Sequence, residues 1–176
     1  MKNNSAIRLL TICLCVISLS GCAHRMNPRP RMLQDNAIPS LKAEGVVAVK
    51  SECKDNRDIK ICSAGWTAFK GSLCEFTDVA TAVMANALQR ANVNVVDAGN
   101  ADKTLQLSLE KAYCKWTGAS IVIIKVKTGD GLERTFEGRK MAVISAYEYT
   151  RDFEIAMAQA VENAITNDQI QAYLRK

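Results

Sequence analysis

Two stretches of the chain carry hydrophobic residues at the three- and four-residue spacing of an amphipathic helix. The first covers residues 77–91, with Thr77 as a suitable N-cap, and the second runs from Phe153 to Ile165. A short last turn follows, which Asp168 is placed to cap. The pattern predicts two helices that each bury one apolar face.

Four other segments have the pattern of β-strands. Residues 45–50 form a β-branched run, residues 105–109 and 122–127 alternate apolar and polar positions, and a further strand is expected at 133–145 after a turn. The glycine-rich turn at 129–131 makes the last two of these strands antiparallel. We therefore expect an α+β fold, a single two-layer domain in which a mainly antiparallel sheet of about four strands carries two helices on one face.

Two segments lack such periodicity. Residues 52–75 read as a long irregular loop, and residues 22–40, which contain all three prolines, read as a flexible tether. The folded domain is therefore expected over residues 41–176. Within its last strand, Gly138 predicts either a bulge or a weak centre.

The N-terminus has the three-part form of a secretory signal. Lys2 and Arg8 precede an apolar core at 9–19, which is too short to span a bilayer permanently, and small residues lead to Cys22. Residues 19–22, Leu-Ser-Gly-Cys, resemble the lipobox of bacterial lipoproteins. The resemblance implies that residues 1–21 are removed and that Cys22 carries the acyl chains. An ordinary signal cleaved at another bond is the alternative.

The lipobox resemblance also implies a location. Ala23 follows the cysteine where an aspartate would retain an enterobacterial lipoprotein in the inner membrane. The expected destination is the outer membrane of the bacterial envelope, with the domain in the periplasm. Two or three acyl chains suffice for stable anchoring.

The cysteines divide by compartment. Cys13 and Cys15 belong to the signal, which leaves four in the domain besides the lipidated residue. An even number in an exported domain indicates two disulfides with three possible pairings, and the wide spacing disfavours zinc, which is the alternative. The four candidates are Cys53, Cys62, Cys74 and Cys114.

Charge adds little to this picture. The whole chain carries +5, and without Lys2 and Arg8 the mature chain carries +3, which gives no nucleic-acid footprint. Arg25, Arg29 and Arg31 cluster beside the anchor, where they either meet anionic headgroups or remain solvated.

Candidate catalytic groups do not form a constellation. His24, the only histidine, stands two residues from the anchor. The acids Glu148, Asp152 and Glu154 sit at a predicted helix start, where the helix dipole favours them. We expect no enzyme activity, no metal site and no cofactor other than the covalent lipid on Cys22.

Aromatic residues mark the best candidate for a partner-binding surface, because aromatics anchor interfaces. Packing around the disulfides is the alternative role, and the lysines and arginine nearby either face an acidic partner or are simply solvated. The aromatic candidates are Trp66, Phe69, Tyr113 and Trp116, and the basic residues are Lys54, Arg57, Lys60 and Lys70.

From residue 79 onward the chain resembles the YajG family of small outer-membrane lipoproteins. The likeness is carried by the order of elements, by the segment NVNVVDAGNADKTLQLSLEKAY and by the ending TNDQIQAYLRK. It implies a lipidated α/β layout and no particular activity.

These observations favour a non-enzymatic accessory or scaffold lipoprotein that serves an envelope assembly, secretion or transport system. The expected partners are the membrane, through the lipid, and an envelope protein, without nucleic acid. The alternative is a periplasmic module that binds a lipid, glycan or peptide between sheet and helices.

Overall fold

The computed structural model of the protein describes residues 23–41, 43–53, 55–64, 67–115, 117–141 and 148–176. Their α-helices are α1 (Leu73–Arg90), α2 (Tyr149–Ile165) and α3 (Asp168–Arg175). Their strands are β1 (Ala23–Arg25), β2 (Val46–Ser51), β3 (Asp58–Ala64), β4 (Thr67–Ser72), β5 (Asn94–Val95), β6 (Lys103–Cys114), β7 (Ala119–Thr128) and β8 (Glu133–Met141).

The larger sheet has five strands in the order β5-β2-β6-β7-β8. β6, β7 and β8 are antiparallel neighbours, whereas β2 pairs in parallel with both β5 and β6. The predicted α+β class is confirmed, with a mixed sheet. The parallel pairs arise because β3, β4 and α1 carry the chain across the sheet between β2 and β5, and a parallel pair needs such a crossover.

Helices α1 and α2 pack on one face of this sheet. Phe76 on α1 and Phe153 on α2 meet edge to face, with ring centroids 6.2 Å apart. Large, fully buried side chains fill the space between the layers: Phe76, Met84, Leu88, Leu105, Leu107, Ile124, Phe153 and Met157. The periodic positions of the sequence therefore form the core.

Gly138 marks a close approach of helix to sheet. A methyl group at this position would overlap the backbone carbonyl of Ala156 on α2. The predicted bulge at Gly138 is wrong, since β8 pairs with β7 without interruption. The register shift of this sheet lies instead in β6, between Leu109 and Lys111.

Residues 52–75 are more regular than the sequence indicated. β3 and β4 form an antiparallel hairpin, pairing from Asp58 with Ser72 to Ala64 with Thr67. Its strands carry few alternating apolar residues, so the sequence does not show the alternation of apolar and polar positions that predicts a strand. Helix α1 starts earlier than predicted, because the Ser72 side chain, and not that of Thr77, caps it by accepting from the amides of Cys74 and Glu75.

Residues 23–40, expected to be part of a flexible spacer, lie against the domain. β1 pairs in parallel with β4 and completes a three-stranded sheet of order β1-β4-β3. Met26, Leu33 and Leu41 are all buried. These three apolar residues are too widely spaced to give a periodic signal, yet each covers part of the core.

Helix α3 packs at the end of the larger sheet formed by the start of β6 and the turn after β7. Asn167, not the predicted Asp168, caps it by accepting from the amides of Gln169 and Ile170. The hydroxyl oxygen of Tyr173 accepts hydrogen bonds from the amides of Thr104 and Gly129, at 2.9 and 3.1 Å. Among the residues described, no helix combines the length and hydrophobicity needed to cross a membrane.

Candidate interaction surface

Two disulfides hold the β3–β4 hairpin region: one fastens β3 to the larger sheet, and the other joins the segments that flank the hairpin. Cys62 on β3 is bonded to Cys114 at the end of β6, and Cys53, just after β2, is bonded to Cys74 in the first turn of α1. In both pairs the Cα atoms are 5.2 Å apart. The predicted disulfides are confirmed with this pairing, which excludes the zinc alternative.

Phe69 belongs to the core and not to an exposed recognition surface. It is 2% exposed and packs against Tyr149, with ring centroids 4.9 Å apart, and against His24 at 5.7 Å. Its role as a partner-binding residue is therefore not supported. The inward orientation of Phe69 could not be predicted from the sequence, because the hairpin that contains it was not predicted.

The other three aromatic candidates differ in their placement. Tyr113 lies on the sheet face away from the helices and is partly exposed, opposite Ile121 on β7. Trp66 and Trp116 lie outside the described residues, as does Cys22. Ala23, the residue after Cys22, is the first residue of β1 and pairs with Ala68 near the start of β4.

A row of basic residues crosses the three-stranded sheet. Arg25, Lys70 and Lys60 are register partners on neighbouring strands. Arg25 is neutralised, since its guanidinium lies 2.6 Å from Glu75 and 3.4 Å from Asp58. Lys60 and Lys70 are exposed and form no ion pair within the described part of the chain. Like charges directly opposite one another disfavour pairing, so this row is a feature that packing does not explain.

The sequence placed these lysines in an irregular loop, together with Arg57 and Lys54. Arg57 is engaged by Asp55, and its guanidinium lowers the pKa of that carboxyl through hydrogen bonds. Lys54 is outside the described residues. The row became visible only with the hairpin register, because Lys60 and Lys70 are ten residues apart in the chain.

The three arginines near the anchor differ in their contacts. The Arg29 amide donates to Glu154 on α2 at 2.8 Å, which ties residues 23–41 to the second helix. Arg31 is exposed. Arg25 is paired within the domain, and its side chain is still exposed to solvent.

The acids at the start of α2 are spread over different surroundings. Asp152 is buried, and burial raises the pKa of its carboxyl. Glu148 is half-buried before the helix, and Glu154 holds the Arg29 amide. His24, which packs on Phe69, lies on β1. Within the described ranges no three His, Cys, Asp or Glu side chains converge on a metal position.

Two depressions on the surface are open to solvent. One of about 240 Å³ lies above the Cys53 disulfide, between Thr77 on α1 and Lys125 on β7. Another of about 370 Å³ lies between residues 31–37 and α2. The first is bordered by Thr77 and Leu109 at the contact of α1 with β6, and the large side chains that lie between sheet and helices are fully buried.

Comparison with known proteins establishes the fold and little more. No family model matches the chain, and no curated protein matches it. A solved structure of a DUF330 protein from Xanthomonas campestris has a TM-score of 0.60 at 14% identity, covering 85% of this chain and 96% of that one. At this identity the likeness shows a shared fold alone.

Two further solved structures are more distant. A candidate lipoprotein from Caulobacter crescentus has a TM-score of 0.40 at 10% identity, covering 80% of this chain and 90% of that one. A PelC dodecamer from Paraburkholderia phytofirmans has a TM-score of 0.39 at 13% identity, covering 78% and 94%. Both scores are too low to support inference, and the YajG resemblance remains an expectation.

Proposed function

We propose that the protein is a non-enzymatic lipoprotein of the bacterial outer membrane that serves as an accessory or scaffold subunit of an envelope assembly, secretion or transport system. Cys22 is the proposed lipid-bearing residue. The observation that carries the proposal is the pairing of Ala23 with Ala68, since the residue directly after the proposed lipobox cysteine belongs to a strand of the folded domain.

This arrangement suits a scaffold. The Arg25 ion pairs and the buried Met26 hold the start of the chain against the domain. An acyl group on the preceding residue would therefore fix the whole domain at the membrane, because consecutive Cα atoms are only about 3.8 Å apart. A rigidly held domain presents the same surface to a partner at all times.

The proposed partner surface is the face of the larger sheet away from the helices, apart from Ile121, the register partner of Tyr113, which is fully buried. It carries Tyr113 and the partly buried Ile123, with ion pairs from Lys125 to Glu110 at 3.2 Å and from Lys127 to Glu133 at 3.3 Å along its length. An aromatic and an aliphatic side chain within a charged surround have the composition of an interface core with a polar rim.

The alternative of a ligand-binding module receives less support. Such a module needs an apolar cavity that encloses most of the ligand. Between sheet and helices the described residues place fully buried aromatic, Met and Leu side chains, and the depressions described above open to solvent.

Site-specific photocrosslinking in the native envelope tests the proposal. A crosslinking residue in place of Tyr113 should capture one envelope protein in stoichiometric amount, and Cys22→Ser should abolish the capture. A crosslinker in place of Gln89, which is exposed on α1 on the opposite side, is the matched control. Capture of the same proteins from both positions, or of none from Tyr113, would contradict the proposed partner surface.

A further inference from the structure

The two ends of the domain differ in charge. At one end lie the hairpin tip, the β6–β7 turn and the last residues of β8, which the Cys62–Cys114 bond and the register of β7 with β8 bring together. Residues 60–70, 115–120 and 139–141 contain basic residues and no Asp or Glu. The exposed basic residues here, which we call the basic end, are Lys115 and Arg139 together with Lys60 and Lys70, which pair three to four residues from the hairpin-tip pair Ala64 and Thr67.

The opposite end is richer in acids. It comprises the starts of β2, β6 and β8 and the turn after β7, which the parallel and antiparallel registers bring together. Its basic residues include Lys103 and Lys127, and the latter is paired with Glu133. The exposed acidic residues here are Glu44, Asp97, Asp102, Asp130 and Glu133.

The chain enters the domain at the basic end. Ala23 pairs with Ala68, one residue into β4 from the hairpin tip, and Lys70 follows two residues later. The residues that precede Ala23 therefore join the domain at this end. Met141, one of the few exposed large hydrophobic residues described, is at the same end, opposite Ala119.

We propose that the basic end lies against the anionic phospholipid headgroups of the membrane that holds the anchor. This inference rests on the proposed lipidation of Cys22. Anionic lipid attracts lysines that are held within a Debye length, about 8 Å at physiological ionic strength. It would neutralise the facing pair Lys60 and Lys70, which has no carboxylate partner among the described residues.

Amine labelling of the lipidated protein in vesicles tests this orientation. The protein is reconstituted in vesicles of phosphatidylcholine and phosphatidylglycerol at about 3:1, treated with a water-soluble lysine reagent and mapped by mass spectrometry. The Cys22→Ser protein in buffer gives the unprotected rate of each lysine. We expect Lys60, Lys70 and Lys115 to react at least about fivefold more slowly in vesicles, as expected for roughly one lysine's headgroup attraction.

Lys103, Lys127 and Lys176 at the opposite end are the internal controls and should keep their rates. Vesicles of phosphatidylcholine alone should restore most of the reactivity at the basic end. Equal protection at both ends, or equal protection in neutral vesicles, would overturn the proposed electrostatic docking. Flotation of the same sample separates the two hypotheses: protein that floats but is unprotected is anchored without docking, whereas protein that does not float refutes the anchor.

Discussion

The hydroxyl oxygen of Thr77 on α1 accepts a hydrogen bond from the backbone amide of Leu109 on β6, at 3.0 Å. This contact lies where β6 shifts its register against β7, so the helix side chain satisfies an amide at the irregular point of the sheet. The same hydroxyl donates to the Leu73 carbonyl. The Thr77 hydroxyl therefore links α1 to β6 by a hydrogen bond.

Replacing Thr77 with valine should lower the free energy of unfolding by about 1–3 kcal/mol, because the buried Leu109 amide loses its acceptor. Urea unfolding followed by circular dichroism measures the change. Thr81→Val is the matched control, since the Thr81 hydroxyl bonds only to a helical carbonyl within α1, and it should change the stability much less. Equal losses in the two variants would show that the hydrogen bond between Thr77 and Leu109 does not contribute to stability.

Removing the hydroxyl of Tyr173 should also destabilise the fold. Tyr173→Phe leaves the amide of Thr104 without the hydroxyl acceptor, at an expected cost of about 1–3 kcal/mol in unfolding free energy, whereas the Gly129 amide keeps its hydrogen bond to the Thr104 carbonyl at 2.9 Å. Hydrogen exchange should become faster at the Thr104 amide in particular. Unchanged exchange there would show that the hydroxyl is not needed to hold α3 against the sheet.

Gly138→Ala should destabilise the protein by about 1–3 kcal/mol or more, because the added methyl group displaces α2 from β8. Thermal unfolding is the direct measurement. Gly99→Ala serves as the control, since a methyl group at Gly99 meets no atom within 4 Å. A Gly138 variant as stable as the Gly99 variant would contradict the close packing of α2 on the sheet.

The two disulfides should contribute unequally. They span 21 and 52 residues, and in the chain-entropy model the larger loop adds roughly 0.8 kcal/mol more stability. Each double Cys→Ser variant should lose about 2–4 kcal/mol in urea unfolding, with the greater loss for Cys62 and Cys114. A greater loss from the Cys53 and Cys74 pair would contradict this order.

Asp152 gives the stability a distinctive pH dependence. Because burial raises the pKa of its carboxyl in the folded state, the folded state holds this proton more tightly than the unfolded state. Its contribution is therefore most favourable below the unfolded value of 3.8 and is lost as the pH rises through the raised folded pKa. The free energy of unfolding of Asp152→Asn should therefore rise relative to that of the wild type as the pH increases from 4 to 7. A difference between the two proteins that does not change with pH would contradict this.

Long periodic segments were predictable and isolated contacts were not. The strands around Leu107 and Ile124 and the helix that ends at Ile165 follow from residue spacing, because one face of each is continuously buried. Met26 and Leu33 reach the core singly from a proline-containing segment, so no period marks them. The short strands β3 and β4 are held by a disulfide and by pairing with β1, and their residues likewise show little alternation in the sequence.

The candidate surface followed the same rule. Cysteine number and export predicted two disulfides, but only the fold pairs Cys62 with Cys114. The exposed lysine pair depends on the hairpin register, and Phe69 proved to be buried because that register turns it inward. The presence of two disulfides was therefore predictable from residue type. The disulfide pairing, the facing lysines and the burial of Phe69 depend on strand pairing and were not.

The proposed lipid anchor is tested most directly at the N-terminus of the mature protein. Mass spectrometry of the N-terminal peptide from native membranes should find residues 1–21 absent and Cys22 bearing a diacylglyceryl group, with a further acyl chain on its amine. The Cys22→Ser variant should leave the membrane fraction. An unmodified Cys22, or a mature chain that starts at another residue, would contradict the lipid-anchored account.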